Sequence, residues 1–173
     1  MLFKNIRFLP QGKISSTKKH VAMIEQKLSS LGITLPVPPA AAGSYVHVVI
    51  SGNLAFVAGQ IPLENGQLKF KGKVGKETTL EAAQQAARLC TLNALAQLKL
   101  ALGSLDRVHR FVKVTGYVNC DPSFTDQPKV INASSDLLVQ VFGDKGRHAR
   151  AAVGVNSLPL DSAVEIEFVA EIS

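Results

Sequence analysis

A chain of 173 residues is long enough for one domain with a sizeable core and short for two. At 46% hydrophobic and 18% charged residues it falls outside the disordered class, and no apolar run reaches membrane-span length. Residues 1–27 hold Lys4, Arg7, Lys13, Lys18, Lys19 and Lys27 against Glu25 alone, +5 of the net +6, so the body beyond them sums to +1.

That near-neutral body, with 6% aromatic residues and no Trp, argues against nucleic acid as a partner. No signal peptide is visible, because Lys4 and Arg7 interrupt the apolar start. Cys90 and Cys120 therefore read as free thiols in a reducing compartment, and a cytoplasmic location is expected. The basic N-terminus, acid-free up to Glu25, leaves an organellar transit peptide as the alternative to a surface extension.

After this leader (1–16), Val21, Ile24, Leu28 and Leu31 recur at helical spacing before Gly32, predicting a helix from about Thr17 to Leu31. The Pro- and Ala-rich ITLPVPPAAAG that follows cannot be helix and reads as an extended connector, ending near residue 42. YVHVVI and LAFVAG around SGN predict a hairpin, and Asn65-Gly66 a second turn. Thr78 and Glu81 have capping-box spacing at the head of a long helix. Its buried side should include Ala86, Leu89, Leu92, Leu95 and Leu102, with Gly103 ending it.

Residues 107–119 read as a strand weakened by Gly116, with Val108, Phe111, Val112, Val114 and Val118 alternating. KVINASSDLLVQVFG (129–143) is a second amphipathic helix with Val130, Leu138 and Val141 on one side. ARAAVGV (149–155) and VEIEFVAEI (164–172) are the last two strands. The order predicts one α+β domain: a mixed sheet, two main helices packed on one face, and an extra N-terminal helix.

Most chemical motifs fail on their spacing. KFKGKVGK lacks the glycine and hydroxyl positions of a phosphate loop and reads as a solvated loop. His20, His47, His109 and His148 show no metal-ligand spacing, and each reads as an ordinary surface or satisfied histidine. Cys90, amid Leu89 and Leu92, reads as buried packing, and Cys120 has no evident partner. There is no G-x-S-x-G elbow. No metal and no cofactor are expected.

Arg150 stands apart. Strand periodicity sets Arg150, Ala152 and Gly154 on one face, as a floor of small groups beside a guanidinium suited to grip a carboxylate. Ala151, Val153 and Val155 take the other face, which reads as core. A structural pair of Arg150 with Glu165 or Glu167 at a sheet edge explains the arginine equally well, and both readings stand open here. A simple hairpin of the last two strands would pair Glu165 near Gly154 and leave Arg150 about 13 Å along the strand.

The stretches GSYVHVVISGNLAFVAGQIP, GKVG, ALGSLDRVHRFVKVTGYV and ARAAVGVNSLPLDSAVEIEFVAE, in this order, resemble the YjgF/RidA family (reactive intermediate deaminases, also called endoribonuclease L-PSP) from about residue 43 onward. The front helix and the DQPKVINASSDLL segment resemble a longer branch of that family. The resemblance implies a chorismate-mutase-like fold, a homotrimer with clefts between subunits, and hydrolysis of small 2-imino or enamine acids to 2-keto acids and ammonia. It implies Arg150 as carboxylate clamp, Glu165 as the group positioning water, and Tyr45, Gly59, Asn132 and Ala152 as substrate-binding positions. Ala58 and Ala152 stand where the family commonly has Ser and Cys. A non-catalytic carboxylic-acid-binding module and an endoribonuclease are the alternatives.

Overall fold

The computed structural model describes residues 23–38, 40–41 and 43–173, so the basic leader and residues 17–22 of the first expected helix lie outside it. The elements are α1 (Met23–Ser30), β1 (Val48–Ser51), β2 (Leu54–Gln60), the small hairpin β3 (Leu63–Glu64) and β4 (Gln67–Leu68), α2 (Leu80–Leu102), β5 (Val108–Asn119), α3 (Gln127–Phe142), β6 (Ala149–Val155) and β7 (Val164–Ile172). The main sheet runs β1-β2-β7-β5-β6, with β5 and β6 parallel and its other neighbours antiparallel. This is the expected α+β fold, with α2 and α3 against one face of a mixed sheet.

The last two strands are not a hairpin. β5 lies between them, because α3 carries the chain over to set β6 parallel beside β5, and β7 then pairs antiparallel on the other side of β5. In β7 the alternation holds throughout: Val164, Ile166, Phe168, Ala170 and Ile172 are buried under the helices, and Glu165, Glu167, Val169 and Glu171 face outward. In β5 it breaks, since register shifts insert His109 and Val112 as extra residues and turn Val112 to the surface.

Gly116 strengthens the packing where it was expected to weaken the strand: a side chain there would overlap Ile131, so its absence lets α3 sit close on β5. Phe111 anchors the core by edge-to-face contacts with Phe142 (4.9 Å) and Phe168 (5.1 Å). The α2 stripe is broader and smaller than expected: Ala83, Ala86, Ala87, Cys90, Ala94, Leu95, Leu98 and Leu102 are buried, while Leu89 and Leu92 are half-buried. Thr91 Oγ1 meets Ser134 Oγ (2.7 Å) where α2 and α3 touch.

The α2 cap falls one residue later than the sequence suggested. Thr79 Oγ1 accepts from the Ala82 amide (3.2 Å), while Thr78 is drawn off to donate to Lys71 O (2.7 Å). The lysine loop is likewise only partly solvated. Val74 is buried, and Lys73 Nζ donates to Asn119 Oδ1 (3.0 Å) and to the Asn156 carbonyl.

Helix α1 is fastened by reciprocal caps. Asp106 accepts from the Met23 and Ile24 amides (both 2.8 Å), and Glu25 Oε1 accepts from the Leu105 amide (3.3 Å). Leu28 is its buried anchor.

Candidate functional site

Arg150 pairs in register with Val114, a core residue, so its side chain leaves the sheet on the helix-bearing side. β6 is an edge strand, and α3 lies alongside it. Arg150 Nη1 donates to two α3 side chains, Asn132 Oδ1 (2.8 Å) and Ser135 Oγ (3.1 Å). Among the described residues Nε and Nη2 have no hydrogen-bond partner and no carboxylate pairs with the guanidinium. The structural Arg–Glu pair is therefore not formed. One edge of the fork is pinned and the other points to solvent, as bidentate capture of a carboxylate requires.

The face assignments need correcting. Ala151, Val153 and Val155 pair with Thr115, Tyr117 and Asn119 and line the face opposite the helices, where Val153 is exposed; they are not core. Ala152 and Gly154 lie on the helix side and are small for packing. Ala152 sits against the core, and a Cβ at Gly154 would come within 2.9 Å of Cys120 Sγ and Gln127 Nε2. Ala152 is nevertheless half-buried and Gly154 exposed, so α3 and its preceding loop lie alongside this floor without closing it.

His148 joins the same cluster. Its Nε2 lies 3.0 Å from Ser135 Oγ, and its Nδ1 lies 2.7 Å from Gly146 O. Burial is the larger cause, and the Arg150 charge a further one, holding its pKa below the usual histidine range.

Glu165 belongs to a second cluster. It pairs with Tyr117 across β5 and points to the open face, away from the helices. Burial first, and then the neighbouring Glu167, push its pKa up. No hydrogen-bond partner for its carboxylate is found among the described residues. Glu167 by contrast accepts from Tyr117 Oη (3.1 Å). The space Glu165 occupies is made by Gly59, where any Cβ would overlap its Oε1. Gly59 lies in a bulge of β2, between the Val57–Phe168 and Gln60–Ile166 pairs. Gln60 braces that bulge, its buried amide donating to Ala58 O and Gly59 O (both 3.1 Å) and meeting His47 Nδ1 (3.1 Å). Tyr45 is exposed beside it, its ring edge-on to His47 at 5.4 Å.

The residues singled out from sequence thus form two groups. Arg150, Asn132 and Ala152 lie at the β6 edge on the helix side; Glu165, Gly59 and Tyr45 lie toward the β1–β2 edge or on the open face. At about 4.8 Å per strand, β1 and β6 are roughly 19 Å apart within one chain, beyond the span of a small acid. Ser135 and His148 escaped the sequence reading. Their signal was there: Ser135 stands three residues after Asn132 on one helix face, and His148 two before Arg150, just ahead of β6. Among the described residues no three His, Cys, Asp or Glu side chains gather to hold a metal ion, and no helix is long and apolar enough to cross a membrane.

Comparison with known proteins matches residues 25–172 to the family described as "YjgF/chorismate_mutase-like, putative endoribonuclease". Protein TCP17 of Trypanosoma cruzi is 44% identical over 151 residues, covering 87% of this chain and 94% of the relative. The crystal structure of Atu1372 from Agrobacterium tumefaciens, a protein of unknown function, superposes with TM-score 0.82 at 47% identity, covering 87% of this chain and 93% of the other. That of E. coli TdcF with bound serine superposes with TM-score 0.59 at 26% identity, covering 79% and 94%.

Proposed function

The chain belongs to the YjgF/chorismate-mutase-like family, the YjgF/RidA group, and on that premise we propose that it is a hydrolytic deaminase. Its substrates would be small reactive 2-imino acids or their enamine tautomers, and its products 2-keto acids and ammonia. The observation that carries this reading is Arg150: pinned at Nη1 by Asn132 and Ser135, exposed, and without a carboxylate partner among the described residues.

An imine carbon conjugated to a carboxylate is already electrophilic. Hydrolysis asks for a fixed carboxylate, one oriented water and groups to move protons. In this reading Arg150 clamps the carboxylate and Asn132 holds the clamp. Glu165, half-buried and with its pKa raised, positions the water. Gly59 offers backbone contacts, Tyr45 covers the substrate, and the Ala152 backbone lines the floor.

The reading includes assembly into a homotrimer with the site in the clefts between subunits. The separation of the two groups supports it: the β6 edge of one copy must meet the Gly59–Glu165 face of another to complete a site. Head-to-tail contacts of this kind close into a ring when the rotation between copies closes, as a three-fold one does. The open face has the apolar surface for it, with Val49, Phe56 and Val153 exposed.

The test is the decay of freshly generated 2-iminopropionate. Purified protein should accelerate it and Arg150→Ala should not; decay at the buffer rate with the wild type rejects the proposal.

One alternative has an observation in its favour. Ala58 gives the bulge no hydroxyl, and TdcF was solved with a bound amino acid; a module that binds small carboxylic acids without turnover would use the same arginine. Calorimetric binding of pyruvate without imine hydrolysis would select it. The ribonuclease reading has the endoribonuclease names within the family and the basic leader behind it, against a body of net charge +1 from residue 28 onward.

A further inference from the structure

We propose that Ser135 and His148 form a proton-transfer pair beside Arg150, with the Ser135 hydroxyl exchanging protons with a substrate whose carboxylate Arg150 holds. The proposal deepens the deaminase reading and rests on it.

The direction of every hydrogen bond in the cluster follows from chemistry. The Gly146 carbonyl, 2.7 Å from His148 Nδ1, can only accept, so the neutral ring carries its hydrogen on Nδ1. Nε2 then presents a lone pair to Ser135 Oγ at 3.0 Å, and the serine must donate. Arg150 Nη1 can only donate, so at 3.1 Å Oγ receives from the guanidinium what it gives to the imidazole. The serine oxygen thus has a base behind it and a cation alongside, and both lower the cost of moving its proton. Burial and Arg150 keep His148 in its base form near neutral pH.

The network ends at an exposed arginine whose Nε and Nη2 have no hydrogen-bond partner among the described residues, and Ser135 Oγ lies on the Nη1 side of the same guanidinium, across it from that free edge. Glu165 is on the far side of the sheet and reaches an Arg150 site only from a neighbouring copy.

The steps balance with these groups. Water adds to the iminium carbon, the C–O bond forms, and the C=N π pair passes to nitrogen. The proton shed by the water goes to Ser135 as the serine proton passes to His148 Nε2, giving an imidazolium and a neutral carbinolamine. The imidazolium returns that proton through Ser135 to the amino nitrogen. The C–N pair leaves with ammonia, and the carbinol proton goes to Glu165 as the C=O bond forms.

The experiment compares the full-length wild type with Ser135→Ala, Ser135→Thr and His148→Asn, measuring 2-iminopropionate turnover against pH and pyruvate affinity separately. Ser135→Ala should lose about 100-fold or more in kcat, with pyruvate Kd changed by less than about threefold because Asn132 still holds Arg150. Ser135→Thr should restore most of the rate, and His148→Asn should abolish the acidic limb of the profile. A wild type that turns over while Ser135→Ala keeps its rate, or while the limb survives in His148→Asn, overturns the pair. A wild type that leaves the imine alone defeats the deaminase reading instead. The pair then answers to nitrogen-15 NMR of the histidines: a neutral His148 protonated at Nδ1 supports it, and one protonated at Nε2 overturns it.

Discussion

Arg150 and Glu165 stand on opposite faces of one sheet, separated by β5 and by three residues of register, since Val114 pairs with Arg150 and Tyr117 with Glu165. Two strand spacings and three residue rises put their backbones about 14 Å apart, and the sheet itself lies between the side chains. No rotamer change in one chain can bring both onto a three-carbon acid. The functional account therefore turns on two half-sites, each completed by another copy.

The guanidinium half-site predicts a selective loss. Arg150→Lys keeps the charge but removes the fork and the Nη1 bonds to Asn132 and Ser135. Pyruvate affinity should fall about 10- to 100-fold, with Arg150→Ala weaker still. Calorimetry measures both, and an Arg150→Lys protein that binds like the wild type contradicts the fork geometry.

Glu165 predicts opposite effects on activity and stability. Its folded pKa is raised, so ionisation disfavours the folded state, and the penalty is complete above the folded pKa and vanishes below the ordinary carboxylate range. Glu165→Gln should lower turnover yet raise Tm at neutral pH by on the order of 1–2 °C, with the two melting curves converging in acid. A Tm that falls at neutral pH would show that the carboxylate has a stabilising partner.

Gly59 is required for the space Glu165 fills. Gly59→Ala should cost about 1–3 kcal/mol in denaturant unfolding, and most of that should return in Gly59→Ala/Glu165→Ala, where the overlapping carboxylate is gone. Equal costs in single and double variants would mean that the strain lies in the bulge backbone instead.

Asp106 predicts a local effect. It caps α1 from 83 residues away in sequence, so Asp106→Ala should cost about 1 kcal/mol and raise amide exchange in residues 23–31. Pyruvate binding should not change. Unchanged exchange would mean that Leu28 packing alone holds the helix.

Much of this was legible before any coordinates. The β7 alternation is carried by burial on one face, and Gly103 ends α2 as read, because these signals are local. What escaped depends on strand order. The faces of β6 were inverted because a run of Ala and Val gives no sign of which side a helix will cover, and parallel pairing with β5 is invisible in β6 alone. The α2 cap slipped by one because Thr78 had a competing acceptor 7 residues back, which only the folded loop reveals. Ser135 and His148 were passed over one at a time; they acquire meaning from the bond between an α3 residue and one beside β6.

Subunit mixing tests the two-half-site account most directly. Arg150→Ala and Glu165→Gln proteins, each expected to have lost most of its turnover alone, are co-assembled and assayed for 2-iminopropionate hydrolysis. If every site takes its arginine from one copy and its glutamate from the next, random trimers carry about a quarter of their sites intact and recover about a quarter of wild-type activity. Verified mixed trimers that stay as inactive as either parent would contradict the account.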